Sequence, residues 1–151
     1  MAKDYKEEIE RLGFLAFVPD GTSMWPILKP KKQTVILKNK TDRLKKFDVG
    51  FYIDGKGRYI FHRVNEVLPD GYIFMGDGQT VKETVKEDAV FAVMTGFYKG
   101  KKFIKVSDEK YIKRVFRWYK DEKKRVKKIE RLRSREMNIA KIKRLFIRKE
   151  K

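Results

Sequence analysis

The sequence predicts a mainly β body followed by a basic helical extension. Three observations predict it: six short stretches rich in β-branched and aromatic residues, turn-forming Gly, Pro and Asp between them, and a change after Ser107 to apolar residues spaced three and four apart. The body is assigned to residues 1–107 and the extension to residues 108–151.

Each element has a local reason. Asp4-Tyr5-Lys6-Glu7-Glu8-Ile9-Glu10-Arg11-Leu12-Gly13 reads as a short helix, with Asp4 as its cap, acids in its first turns and Gly13 to close it. The strands follow as Phe14 to Val18, Thr34 to Leu37, Val49 to Ile53, Arg58 to Val64, Tyr72 to Met75 and Phe91 to Tyr98. Pro-Asp-Gly, Pro-Lys-Lys, Asp-Gly-Lys-Gly, a second Pro-Asp-Gly, Gly-Asp-Gly and Lys-Gly-Lys-Lys supply the turns. From Ser107, a candidate cap, Ile112, Val115, Phe116 and Tyr119 and then Val126, Ile129 and Leu132 recur at helical steps, as in two basic helices or one long one.

Composition narrows the chemistry. At 151 residues the chain holds one domain of common size plus an appendage, which excludes a multi-domain enzyme. It has no cysteine, so disulfides, thiol nucleophiles and cysteine-zinc sites are excluded, and the one histidine, His62, excludes a multi-histidine metal site. No metal and no cofactor is implied. Catalysis here must use hydroxyls, carboxylates, amines or that imidazole.

The net charge of +18 favours partners that carry negative charge, and most of it lies in the extension, net +12 against +6 for the body. No run approaches the roughly 18 uncharged residues of a membrane-spanning helix, and the N-terminus lacks the apolar core of a secretion signal. The expected location is cytoplasmic, or peripheral at a membrane.

Three motifs carry chemistry. In Asp20-Gly21-Thr22-Ser23-Met24-Trp25-Pro26-Ile27-Leu28, a serine stands in a turn where Gly21 permits a sharp backbone that aims the hydroxyl and frees its N–H. In Tyr59-Ile60-Phe61-His62-Arg63-Val64, alternation puts Ile60, His62 and Val64 on one face of a strand and Tyr59, Phe61 and Arg63 on the other. Met75-Gly76-Asp77-Gly78 follows another strand. Singly, these are an ordinary turn serine, an ordinary strand histidine and a preferred hairpin turn.

Taken in order, Gly-x-Ser-Met-x-Pro, the His-Arg-Val strand and Gly-Asp-Gly resemble the S26 signal peptidase family of the S24/S26 peptidase clan, closest to the archaeal and endoplasmic-reticulum type whose general base is histidine. Phe47-Asp48-Val49-Gly50-Phe51-Tyr52 is similar to that family's Gly-Asp-Val-Val-Val-Phe strand, and the likeness runs from about Phe17 to Gly96. It implies coiled antiparallel sheets and a serine endopeptidase that cleaves a precursor. Ser23 would be the nucleophile, His62 the general base and Asp77 the acid that orients and stabilises the imidazolium. The Ser23 N–H and one neighbour would serve the oxyanion, with Gly21, Thr22, Met24 and Pro26 supporting the turn. A histidine base predicts activity rising through about pH 6 to 7.

Departures from the family pattern leave two questions open. Gly-Asp-Gly stands where the family has Gly-Asp-Asn, and Glu83 occupies the place of a second acid six residues beyond Asp77, so Glu83 rivals Asp77 as third member. Gly21 replaces a small hydroxyl residue, which removes a side-chain oxyanion donor unless Thr22 takes that part. The family's N-terminal membrane anchor has no counterpart, so either the substrate is soluble or the extension brings the protein to anionic lipid, with Phe116, Trp118 and Tyr119 among eleven lysines and arginines between Lys110 and Arg131. The competing reading is a catalytically inactive, peptidase-like module whose extension binds a polyanion. An anionic membrane is the favoured one and nucleic acid the less favoured, since no nucleic-acid motif accompanies the charge.

Overall fold

The computed structural model describes residues 4–149; the ends of both predicted segments, residues 1–3 and 150–151, lie outside it. Helix α1 (Tyr5–Leu12) starts where the Asp4 carboxylate accepts the Glu7 N–H at 3.0 Å and stops at Gly13, whose left-handed backbone returns its N–H to Ile9 O at 2.8 Å. Both predicted caps are in use.

Eight strands form one antiparallel sheet: β1 (Phe14–Phe17), β2 (Val35–Asn39), β3 (Val49–Ile53), β4 (Tyr59–Leu68), β5 (Gly71–Met75), β6 (Glu83–Lys86), β7 (Val90–Lys99) and β8 (Lys102–Lys105). The spatial order is β1-β2-β7-β3-β4-β5-β6. Strand β7 organises the sheet. It pairs with β2 along one edge, while its other edge pairs first with β3 at Val90 to Val93 and then with β8 at Gly96 to Lys99. Register shifts at Ile36/Leu37 and Phe51/Tyr52 accompany this double duty.

The six expected strands are present, several of them longer than expected. The two additional strands, β6 and β8, are four-residue pieces, Glu-Thr-Val-Lys and Lys-Phe-Ile-Lys, too short and charged to show a strand pattern. Each is made by its partner: β6 by the register with β5, and β8 by the hairpin that Gly100 turns with φ 62°.

The faces of β3 and β4 divide the interior into two clusters. On one face Tyr5, Phe17, Phe51, Tyr59, Phe61 and Phe91 contact one another at 5.1 to 6.3 Å, edge-on or tilted except for the stacked pair Phe17 and Phe51, and Tyr59 donates to Asp4 at 2.8 Å, tying α1 to the sheet. On the other, Leu44, Tyr52, Val64, Tyr72, Phe74, Val85 and Val90 form a buried core against which Ile60 packs. The alternation expected for β4 is therefore the one observed.

The contacts divide the chain into a unit of residues 1–115 and a second of residues 116–151, so the first turns of α2 (Glu109–Tyr119) belong with the body, beyond the boundary expected at Ser107. Tyr111 and Val115 are buried there. The cap of α2 is Asp108 rather than Ser107: its carboxylate accepts the Tyr111 N–H at 3.0 Å and its carbonyl the Ile112 N–H at 3.0 Å. In the second unit, Asp121 caps α3 (Glu122–Lys149) by accepting the Lys124 N–H at 3.1 Å, which makes the extension two helices. Among the described residues no helix is long and apolar enough to cross a membrane.

Candidate functional site

Ser23 is half-buried in a coiled turn. Buried Met24, Ile27 and Leu28 anchor the turn, and two local hydrogen bonds shape it: Trp25 N–H to Thr22 O at 3.1 Å and Leu28 N–H to Met24 O at 2.9 Å. Arg114, from the middle of α2, donates to the carbonyls of Pro26 at 2.6 Å and Ile27 at 3.2 Å and so fixes the far side. Gly21 and Thr22 are exposed, and a Cβ at Gly21 would meet nothing within 4 Å, so the turn does not need a glycine there. The N–H groups of Ser23 and Met24 make no hydrogen bond among the described residues, which leaves two neighbouring backbone donors at the serine.

The glycines the turn needs lie in the partner loop. Gly78 donates its N–H to Ser23 O at 2.8 Å. A Cβ at Gly76 would stand 2.5 Å from Ser23 O, and one at Gly78 2.6 Å from Trp25 O. Only bare backbone permits this approach. The loop follows β5, whose Met75 pairs with Arg63 on β4, and His62 is the next residue on that strand. The turn and the imidazole thus belong to the same end of the sheet, although no hydrogen bond joins Ser23 to His62 among the described residues.

Asp77 has a different partner from the one expected. Its carboxylate takes the Arg63 fork, Nε to Oδ1 at 2.7 Å and Nη2 to Oδ2 at 2.8 Å, with Asp77 0% and Arg63 1% exposed. Arg63 Nη1 continues to Phe47 O at 2.8 Å and to the Tyr111 hydroxyl at 3.0 Å. The planar guanidinium matches both oxygens at once, which a single imidazole N–H does not. Asp77 therefore reaches His62 only by its charge.

Glu83, the rival acid, lies on the histidine's own face. Tyr52 donates its hydroxyl to Glu83 Oε2 at 2.9 Å, and the Tyr52 hydroxyl oxygen is itself 3.5 Å from His62 Nδ1. The register explains the contact: Gly50, without a side chain, stands opposite His62, and Tyr52, opposite Ile60, is the next side chain on that face. Every buried side-chain nitrogen and oxygen among the described residues has a hydrogen-bond partner. His62 Nε2, which makes no hydrogen bond among the described residues, is therefore not wholly enclosed.

Burial pushes the His62 imidazole down from its ordinary 6.5 to about 4, with the Asp77 charge opposing the shift. The ring is neutral at pH 7. Burial, followed by the bond to Glu83, pushes the Tyr52 phenol up, so that its proton stays on the hydroxyl.

A cleft of about 630 Å³ opens beside the serine turn at Ile27. Tyr111 lines it together with the cations Lys29, Lys102, Lys110 and Arg114. Among the described residues no group of three or more His, Asp or Glu is placed to hold a metal ion.

Sequence reasoning missed Tyr52, Arg63 and Arg114. Tyr52 had a readable signal, a polar tip in an apolar strand on the histidine's face, whereas the long-range partners of the two arginines had none. Compared with known proteins, the chain matches no protein-family model and no curated sequence.

Proposed function

We propose that the protein is a serine endopeptidase similar to the signal peptidase I type, with Ser23 as nucleophile and His62 as general base. The observation that carries this reading is the tie between Ser23 O and Gly78, which holds the serine turn at the sheet end where a neutral imidazole presents an open Nε2. Ser23 Oγ attacks the scissile carbonyl as its proton passes to Nε2, and the leaving amine departs with that proton. Water then hydrolyses the ester by the reverse transfer. The Ser23 and Met24 N–H groups meet the oxyanion. Hydroxyl and imidazole close on each other when a peptide binds, as free hydrolases commonly leave this contact loose.

A second reading, a peptidase-like body that binds rather than cuts, is favoured by the engagement of Asp77 with Arg63 and by α3. In that helix Ile139, Ile142, Leu145 and Phe146 are all more than half exposed beside Lys141, Lys143 and Arg144, a pattern suited to an anionic bilayer surface. Bulky apolar groups add nothing on a nucleic-acid backbone.

One experiment separates the two. The protein is incubated with a peptide library and new termini are read by mass spectrometry, with and without vesicles of acidic phospholipid. The first reading expects cleavage that Ser23→Ala lowers by at least about three orders of magnitude. Vesicle binding by a protein that cuts nothing, or cutting unchanged by Ser23→Ala, overturns it.

A further inference from the structure

We infer that Tyr52 and Glu83 form a relay that holds His62 in the tautomer with its proton on Nδ1 and its lone pair on Nε2. The inference rests on the reading of His62 as a base. It assigns the positioning of that base to a tyrosine and a glutamate, in place of the aspartate of the Gly-Asp-Gly motif.

The argument is a count of protons. The Tyr52 hydroxyl has one hydrogen, and Glu83 Oε2 takes it at 2.9 Å. The Tyr52 hydroxyl oxygen then has only lone pairs to offer to His62 Nδ1, 3.5 Å away, so the nitrogen facing it must carry the hydrogen. A neutral imidazole has one N–H, so Nε2 is left unprotonated and able to accept. Were the hydroxyl to turn toward Nδ1 as donor, the buried Tyr52 would exchange a 2.9 Å bond to a carboxylate for a 3.5 Å contact with a neutral nitrogen, the weaker of the two.

The chain also works in the charged state. When Nε2 takes a proton, the Nδ1–H dipole points at Tyr52 and the Tyr52 O–H dipole points at the Glu83 carboxylate, so the added positive charge lies at the head of two aligned bonds that end on a negative charge. Nothing need reorganise during transfer. Asp77, with both oxygens occupied by Arg63, offers no such alignment.

The test uses the fact that the chain has one histidine. In 15N-labelled full-length protein at pH 7, long-range 1H–15N spectra of the imidazole distinguish a pyridine-type from a pyrrole-type nitrogen without assignment ambiguity. The expected result is pyridine-type Nε2 and pyrrole-type Nδ1. Tyr52→Phe and, separately, Glu83→Ala should abolish that preference and move the ring toward the Nε2–H form, with the amide spectrum otherwise retained. Glu83→Gln, whose side-chain oxygen can still accept from Tyr52, should restore it. A wild-type Nε2–H ring, or a folded Glu83→Ala with an unchanged tautomer, overturns the relay. If Tyr52→Phe does not fold, the Glu83 pair decides alone. The readout needs no substrate, so failure of the relay is distinct from a failure to find Ser23-dependent cleavage.

Discussion

His62 and Arg63 are neighbours on one strand, both face into the body, and they meet opposite treatment. On the Arg63 face a full charge is buried and fully answered: Asp77, Phe47 O and Tyr111 accept from it, linking strand β4, the turn before β3, the loop after β5 and the start of α2. Phe47, held by that contact, sits at φ 75°, a left-handed conformation that a bulky residue adopts only at a cost of about 1–3 kcal/mol. On the His62 face the ring is part-buried and neutral, one nitrogen faces the Tyr52 hydroxyl, and the other makes no hydrogen bond among the described residues. Alternation along a strand thus sorts a rigid clamp to one side and a proton acceptor to the other. Each job needs what the other face lacks.

The largest expected effect comes from breaking the clamp. Asp77→Ala leaves Arg63 charged at 1% exposure without its main counter-ion, and removing one member of such a pair costs about 3–5 kcal/mol. Urea unfolding followed by tryptophan fluorescence should show a midpoint lowered accordingly. A loss under about 1 kcal/mol would mean that Asp77 is not the structural partner the geometry describes, and would reopen its part as an orienting acid.

The His62 face predicts a dependence on pH instead. The imidazole is lowered from 6.5 to about 4 on folding, so between these values the unfolded chain binds the proton and the folded one does not. Stability should be complete above about pH 6.5 and fall as pH drops through 4, by up to about 3 kcal/mol. His62→Asn should show a smaller slope in that window. If activity is His62-dependent, its acid limb should lie in the same interval, below the 6 to 7 of an ordinary histidine. Equal slopes for the parent and His62→Asn would show the ring to be more exposed than the packing indicates.

The contrast also explains what could be read from the chain alone. The alternating pattern of Tyr59 to Val64 gave both faces correctly, and α1 was legible because Asp4 and Gly13 act within one helix. Strand β6, with only Val85 buried, exists because β5 templates it, so its four residues carry no pattern of their own. Ser23, His62 and Asp77 were legible as motifs, but the partner of Asp77 was not, because the choice between a neighbouring imidazole and a neighbouring guanidinium depends on which face each one occupies at the end of β5. Adjacency in the sequence points to Gly21 as the permissive glycine. The close approach that needs glycine lies fifty-odd residues away, at Gly76 and Gly78.

The smallest expected effect asks whether the two faces are independent. Tyr111→Phe removes one acceptor from Arg63 Nη1 and leaves the Phe47 carbonyl on the same nitrogen, so the cost should be about 1.5 kcal/mol, the low end for a hydrogen bond to a charged group. The phenyl ring keeps its tilted contact with Phe97, centroids 5.5 Å apart. Because the lost hydroxyl touches nothing on the His62 side, the histidine's tautomer and titration should match those of the parent, and the effects of Tyr111→Phe and Glu83→Ala should add in the double variant. A shifted histidine titration in Tyr111→Phe would show that loosening the clamp moves β4 as a whole, in which case the proton acceptor owes its position to the charge buried behind it.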